Sequence, residues 1–239
     1  APDLYVKRTG EGVAVVLLHG LFGAGGNLGA LARALQGSFA VFSVDLPNHG
    51  RSGWLPSPDL PTMAESLRCW MDAEGLSSAH LVGHSLGGKV AMQFALAYPR
   101  RVQSLIVADI APVVYAAHHE AVFAALEAVA AGGCSSRDEA AILMASYLHE
   151  HTVIQFLLTN LQHGAGGVMR WRFDLQGIRA AYPSLLAMPQ ADQSYPGAVL
   201  FIKGSASDYI QEQHWPAIQA FFPAASISVM SGCGHWLHA

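Results

Sequence analysis

The sequence predicts an α/β fold built on a covered, mostly parallel sheet. Three observations carry this. Short β-rich runs recur that are apolar at successive positions, as expected for strands buried on both faces. Segments with helical spacing alternate with them. The chain has 239 residues, 52% hydrophobic and 13% charged, which suits one sizeable core and is short for two.

The first such strand is "VAVVLL", Val13 to Leu18, followed by the glycine-bearing loop "HGLFGAGGN" and a helix over Leu28 to Leu35. "FAVFSVD", Phe39 to Asp45, is the second, and the turn-rich loop "DLPNHGRS" leaves it. A helix over Met63 to Glu74 leads to "AHLVGH", Ala79 to His84, and one over Gly88 to Tyr98 leads to "SLIVAD", Ser104 to Asp109. "GAVLFIK", Gly197 to Lys203, a helix over His214 to Phe221 and the weaker "ASISVM", Ala225 to Met230, complete the series.

Between Pro112 and Pro196 the alternation fails. "HHEAVFAALEAVAAGG" and "RDEAAILMASYLHEHTVIQFLLTNLQ" are helical in pattern, with no strand-like run between them. Residues 112–196 are therefore expected to be a helical insertion, and residues 1–111 with 197–239 the α/β core. An insertion after the C-terminal end of a strand lies over the crevice where open α/β sheets bind ligands, so it should cap a substrate pocket.

Composition narrows the function. The net charge of −4 and the lack of a Lys/Arg run argue against nucleic-acid binding. Val13 to Ala32 carries no charged residue with His19 neutral, but it holds Asn27 and five glycines. It reads as strand, loop and helix start, so stable membrane insertion is not expected. The opening "APDLYVKRTGEG" shows no basic-then-apolar leader. Cys69, Cys134 and Cys233 are an odd number at wide spacing, fitting neither a disulfide framework nor a paired zinc motif, and a cytoplasmic setting is expected. His118, His119 and Glu120 are consecutive and do not share a helix face, so no metal site is expected there.

Gly83-His84-Ser85-Leu86-Gly87 has the spacing of a nucleophile elbow, with a predicted strand before it and a helix after. Such a turn strains the serine backbone and needs flanking residues almost without side chains. It lifts the Ser85 hydroxyl above the sheet edge and aims the helix N-terminus at charge developing on a substrate oxygen. The Leu86 N–H is then one oxyanion donor. Leu21 N–H, in the His19-Gly20 loop, is the other, with Phe22 the fallback. A serine hydroxyl needs a base. Of twelve histidines, His235 in "SGCGHWLHA" follows the last strand, and His238 is read as its packing neighbour.

Together, "HGLFG", "DLPNHGRS", "GHSLGGKVAM", "DIAPVVY" and "GHWLHA", in order along nearly the whole chain, resemble the α/β-hydrolase esterases of the bacterial YbfF type, whose mitochondrial relatives carry an abhydrolase domain. The resemblance implies a cofactor-free serine hydrolase of carboxylic esters or acyl thioesters with a small helical cap. Members of that type continue from the histidine motif into a C-terminal helix, whereas this sequence stops at Ala239. Alternatives on the same triad are a cofactor-free perhydrolase or haloperoxidase and a C–C bond hydrolase; a non-catalytic ligand receptor is the alternative from another class.

Two aspartates fit the order Ser, acid, His. Asp208 lies four residues beyond Gly204, where three is usual and Ser207 occupies the third place. Asp109 ends its strand at the crevice and opens the Asp-Ile-Ala-Pro motif. Asp109 is the preferred acid and Asp208 the alternative. Asp45, Asn48 and Arg51 are read as bracing the nucleophile region, Lys89 as structural, and Phe22, Phe156 and Leu157 as walls of the substrate pocket.

Overall fold

A computed structural model describes residues 1–238. In chain order the elements are β1 (Val6–Thr9), β2 (Ala14–Leu18), α1 (Gly29–Leu35), β3 (Ala40–Val44), α2 (Leu60–Ala73), β4 (Ala79–His84), α3 (Leu86–Ala97) and β5 (Val102–Ala108). Then come α4 (Glu120–Gly132), α5 (Arg137–Met144), α6 (His151–Leu158), β6 (Leu161–His163), β7 (Met169–Trp171) and α7 (Leu175–Leu185). β8 (Val199–Gly204), α8 (Trp215–Phe221) and β9 (Ala225–Met230) complete the series.

Seven strands form one sheet in the order β1-β3-β2-β4-β5-β8-β9, parallel except for β1, which runs antiparallel to β3. Every residue of β2 and β3 is buried, as their uninterrupted apolar runs require. The helix α3 is buried from Leu86 to Leu96, so its two faces meet the sheet and α2. Asp59 starts α2 as an N-cap, its carboxylate accepting from Thr62 N–H at 2.8 Å.

The expectation of no strand between residues 112 and 196 is corrected by the β6–β7 hairpin. Three residues per strand are too few for alternation to register. The long apolar run after Arg137 is also two helices, α5 and α6, and α7 carries Pro183 in its interior. At the sheet margin, β1 reads "VKRT", an edge strand too polar to stand out.

The register aligns the functional ends of the strands. His84 pairs with Ala108 and Gly83 with Leu18, so the C-terminal ends of β2, β4 and β5 open side by side. Two residues leave this edge in the left-handed region: Ser85, with φ of 53°, and Asp109, with φ of 55°. The Ser85 N–H donates to Ala108 O at 3.1 Å, coupling the two kinks.

Candidate active site

The elbow forms because its neighbours yield space. A Cβ on Gly83 would lie 2.2 Å from Gly87 O, and one on Gly87 would lie 2.2 Å from Leu18 O. Ser85 therefore sits at the tip of a turn that no larger residues at 83 and 87 could close, in the strained conformation expected of it.

His235 Nε2 is 2.9 Å from Ser85 Oγ, and His235 Nδ1 is 2.7 Å from Asp109 Oδ2. A carboxylate can only accept, so Nδ1 carries the proton and Nε2 is left as acceptor for the serine hydroxyl. Asp109 is wholly buried. Burial raises its pKa, but donation from His235, from the Ser207 hydroxyl and from Gly204 N–H at 3.1 Å outweighs it and holds the carboxyl below its usual value.

Asp208 is exposed, and only its carbonyl is engaged, by Gln211 Nε2 at 2.9 Å. The structure thus brings Asp109 to the histidine and leaves Asp208 outside. Ser207, at the usual acid spacing, turns inward to bond Asp109. Sequence reasoning missed that role, and it missed Tyr209, whose ring stacks on His235 at 3.9 Å and 19°. Tyr115 holds Tyr209 in turn, accepting from Ala111 N–H and donating to Tyr209 O at 2.6 Å. His84 Nε2–H donates to His235 O at 2.7 Å; burial, then the neighbouring His235, pushes the His84 pKa down to about 3. His238 packs against the His84 and Trp236 rings.

The loop before α1 reaches the same point. A Cβ on Gly20 would stand 3.4 Å from Ser85 Cβ, and Leu21 and Leu86 both line a cavity of about 50 Å³ above Ser85. As the first residue of α3, Leu86 has no intrahelical acceptor for its N–H. The fallback, Phe22, is corrected: its N–H already donates to His49 Nε2 at 3.1 Å. His19 and His49 are fully buried, and burial pushes their pKa values down to about 4 and about 3. Neutral, each donates from Nδ1 to a carbonyl, Gly20 O or Pro47 O, and accepts a backbone N–H at Nε2. Asp45 accepts from Gly25 and Arg51 N–H, and Asn48 bridges Leu55 and Asp174, so the loop after β3 is tied to the Gly25 loop and to the start of α7.

Ile110, Tyr115, His119, Tyr182, Leu185 and Leu186 form much of the remaining wall. His118 and His119 meet tyrosine hydroxyls, Tyr209 and Tyr182. Lys89 is 2% exposed and its ammonium donates to Val113, Leu186 and Ala187 carbonyls, tying α3 to both ends of the 112–196 segment. Burial pushes its pKa down to about 7. The expected walls Phe22, Phe156 and Leu157 do not line this cavity: Phe22 packs on Phe123 and Phe173, Phe156 on Trp236 at 4.4 Å, and Leu157 is 1% exposed in the core. Hydrophobic spacing marks burial without marking which void a side chain faces.

An α/β-hydrolase fold family model matches residues 13–132, and the chain belongs to the α/β-hydrolase family. Within it the chain is an esterase-type hydrolase. It is 38% identical to Esterase YbfF of Escherichia coli, over 94% of this chain and 87% of that protein. It is 37% identical to the sn-1-specific diacylglycerol lipase ABHD11 of Mus musculus, over 95% of this chain and 76% of that one. A solved marine microorganism esterase superposes with a TM-score of 0.96 at 33% identity, covering 100% of this chain and 94% of the other. Among the described residues no helix is long and apolar enough to cross a membrane.

Proposed function

We propose that the chain hydrolyses small carboxylic esters through a covalent acyl-enzyme on Ser85. The observation that carries this is the unbroken line from Ser85 Oγ through His235 to the buried Asp109 carboxylate, at 2.9 and 2.7 Å. Ser85 Oγ attacks the ester carbonyl as His235 Nε2 takes its proton. The carbonyl oxygen becomes an oxyanion, held by the Leu21 and Leu86 N–H groups. Nε2–H then protonates the departing alkoxide, leaving the acyl group on Ser85. Water enters, loses its proton to Nε2, and a second tetrahedral intermediate collapses to the carboxylic acid and free serine. Asp109 keeps Nδ1 protonated and stabilises the imidazolium formed twice in the cycle.

Residues 112–196 act as the cap in this reading. Lys89 pins it, and the small cavity supports a short acyl group as the preferred substrate. A receptor built on the same fold has no need of an intact Ser–His–Asp line. Cys69, Cys134 and Cys233 are all free, which supports the reducing, cytoplasmic setting.

The test is fluorophosphonate labelling with peptide mapping, alongside hydrolysis of a panel of acyl esters and acyl thioesters of graded length. Labelling at Ser85, and loss of both labelling and turnover in a folded Ser85→Ala variant, are expected. Turnover that survives in Ser85→Ala overturns the mechanism.

A further inference from the structure

A second concavity, of about 670 Å³, opens between the sheet edge and the residues that follow α6. Lys7 and Thr9, on one face of β1, and Tyr5 just before it form one wall, and Arg33 of α1 and Gln36, the residue that ends it, form another. Asn160 and Arg172 close the far side. The loop that places Leu21 beside Ser85 contributes Ala24 to Asn27 here, so the two cavities lie at different ends of one loop.

The wall is cationic on a chain that is sparsely charged and acidic. Of 13 lysines and arginines, Lys7, Arg33, Arg51 and Arg172 gather on this one cleft. Among the described residues none of the four pairs with a carboxylate, whereas Arg68, Arg101 and Arg179 do. Their partners are neutral: Arg51 donates to Tyr5 OH at 3.0 Å, and Arg172 Nε to Gln162 Oε1 at 3.3 Å. The single carboxylate of the wall, Asp45, is 4% exposed and gives its oxygens to the Gly25 and Arg51 N–H groups at 2.6 and 2.9 Å. Like charges gathered round a concavity repel one another and focus a field that draws anions.

Thr9, Ser43, Thr159, Asn27 and Gln36 add hydroxyl and amide groups, between the small residues Ala24 to Gly26, Gly29 and Ala32. The four cations and the side-chain amides and hydroxyls give an oxyanion many donors. Guanidinium forks match phosphate geometry, and the volume falls in the range of small-molecule sites, roughly 300–1,000 Å³. We propose that this cleft binds a small, soluble, multiply charged phosphate compound at a site separate from the ester pocket.

Inorganic pyrophosphate is the probe, titrated calorimetrically at fixed ionic strength into wild type, Arg33→Ala/Arg172→Ala and a control, Arg100→Ala/Arg170→Ala. The control removes the same charge from exposed positions outside the cleft. Saturable binding is expected for wild type and control. The cleft double variant should bind roughly a hundredfold more weakly, about tenfold for each guanidinium removed. Should that variant melt well below wild type, Lys7→Gln on the exposed edge strand takes its place, with about a tenfold loss expected from its single ammonium. No saturable heat, equal losses in control and cleft variants, or unchanged affinity in Lys7→Gln overturns the proposal. Sedimentation with phosphatidylglycerol vesicles separates a lipid headgroup from a soluble ligand: capture by vesicles that pyrophosphate does not displace overturns it as well.

Discussion

Asp109→Asn isolates what the proposed acid does. The side chain keeps its shape, but the face turned to His235 Nδ1, now 2.7 Å from Oδ2, can become a donor. An amide in that place favours the tautomer with the proton on Nε2, which cannot deprotonate Ser85. Asp109 is wholly buried, so no water substitutes for the carboxylate. The loss in kcat should approach ~10⁴, equivalent to ~5.4 kcal/mol of transition-state stabilisation at 1.36 kcal/mol per factor of ten. Asp208→Asn, altering an exposed side chain, should change kcat less than about tenfold. Ser207 sharpens the experiment because its hydroxyl and His235 Nδ1 meet the same carboxylate oxygen. A carboxylate introduced by Ser207→Asp in the Asp109→Asn background is within reach of Nδ1, so the double variant should recover part of the loss. Steady-state hydrolysis of p-nitrophenyl acetate, with melting curves to show that each variant folds, measures all four proteins. Near-normal kcat in Asp109→Asn, or a loss of orders of magnitude in Asp208→Asn, refutes the reasoning.

Stability should fall on mild acidification. His19, His49, His84 and His119 have pKa values pushed down by burial to between about 3 and about 4. The folded state therefore binds fewer protons than the unfolded chain once pH drops below the unfolded value of ~6.5, and stability is lost from there toward the folded values. Each group costs ~2 kcal/mol at pH 5, so together they rival a typical domain stability of roughly 5–15 kcal/mol. Urea denaturation between pH 7 and 5 reads this directly, and a flat profile contradicts it. Leu185→Ala, which removes three carbons, should enlarge the cavity beside Ser85 and raise kcat/KM for hexanoyl relative to acetyl esters by at least about tenfold, the lower end of what one methylene is worth in an apolar pocket. Equal change for both chain lengths would remove Leu185 from the acyl wall.

The buried strands were legible because burial on both faces leaves an uninterrupted apolar run, as β2 and β3 show. β1 was not, since an edge strand shares its surface with solvent. Nor was the β6–β7 hairpin, whose antiparallel pairing is carried by three residues a side. Ser85 and His235 could be read because a nucleophile elbow demands glycines at fixed places and the histidine follows the last strand. The acid was harder. Asp109 and Asp208 both satisfy chain order, and which one turns inward depends on Ser207, Gly204 and the β5–β8 pairing, contacts that spacing does not encode. The pocket wall failed for a related reason: Phe156 and Leu157 are apolar and packed, but against Trp236 and the core.

Ser85 and Asp109 spring from registered residues of neighbouring strands, His84 and Ala108, each through one left-handed step. Their separation is therefore a property of the ladder, as stiff as the hydrogen bonds between β4 and β5. His235 alone arrives from elsewhere, on the loop that follows β9. In mechanical language the site is a fixed two-jaw vice with one removable insert. Disturbance of the sheet carries both jaws together and leaves their gap unchanged, whereas a shift of the loop after β9 moves the insert alone and would part the proposed base from Ser85 while the fold still stands.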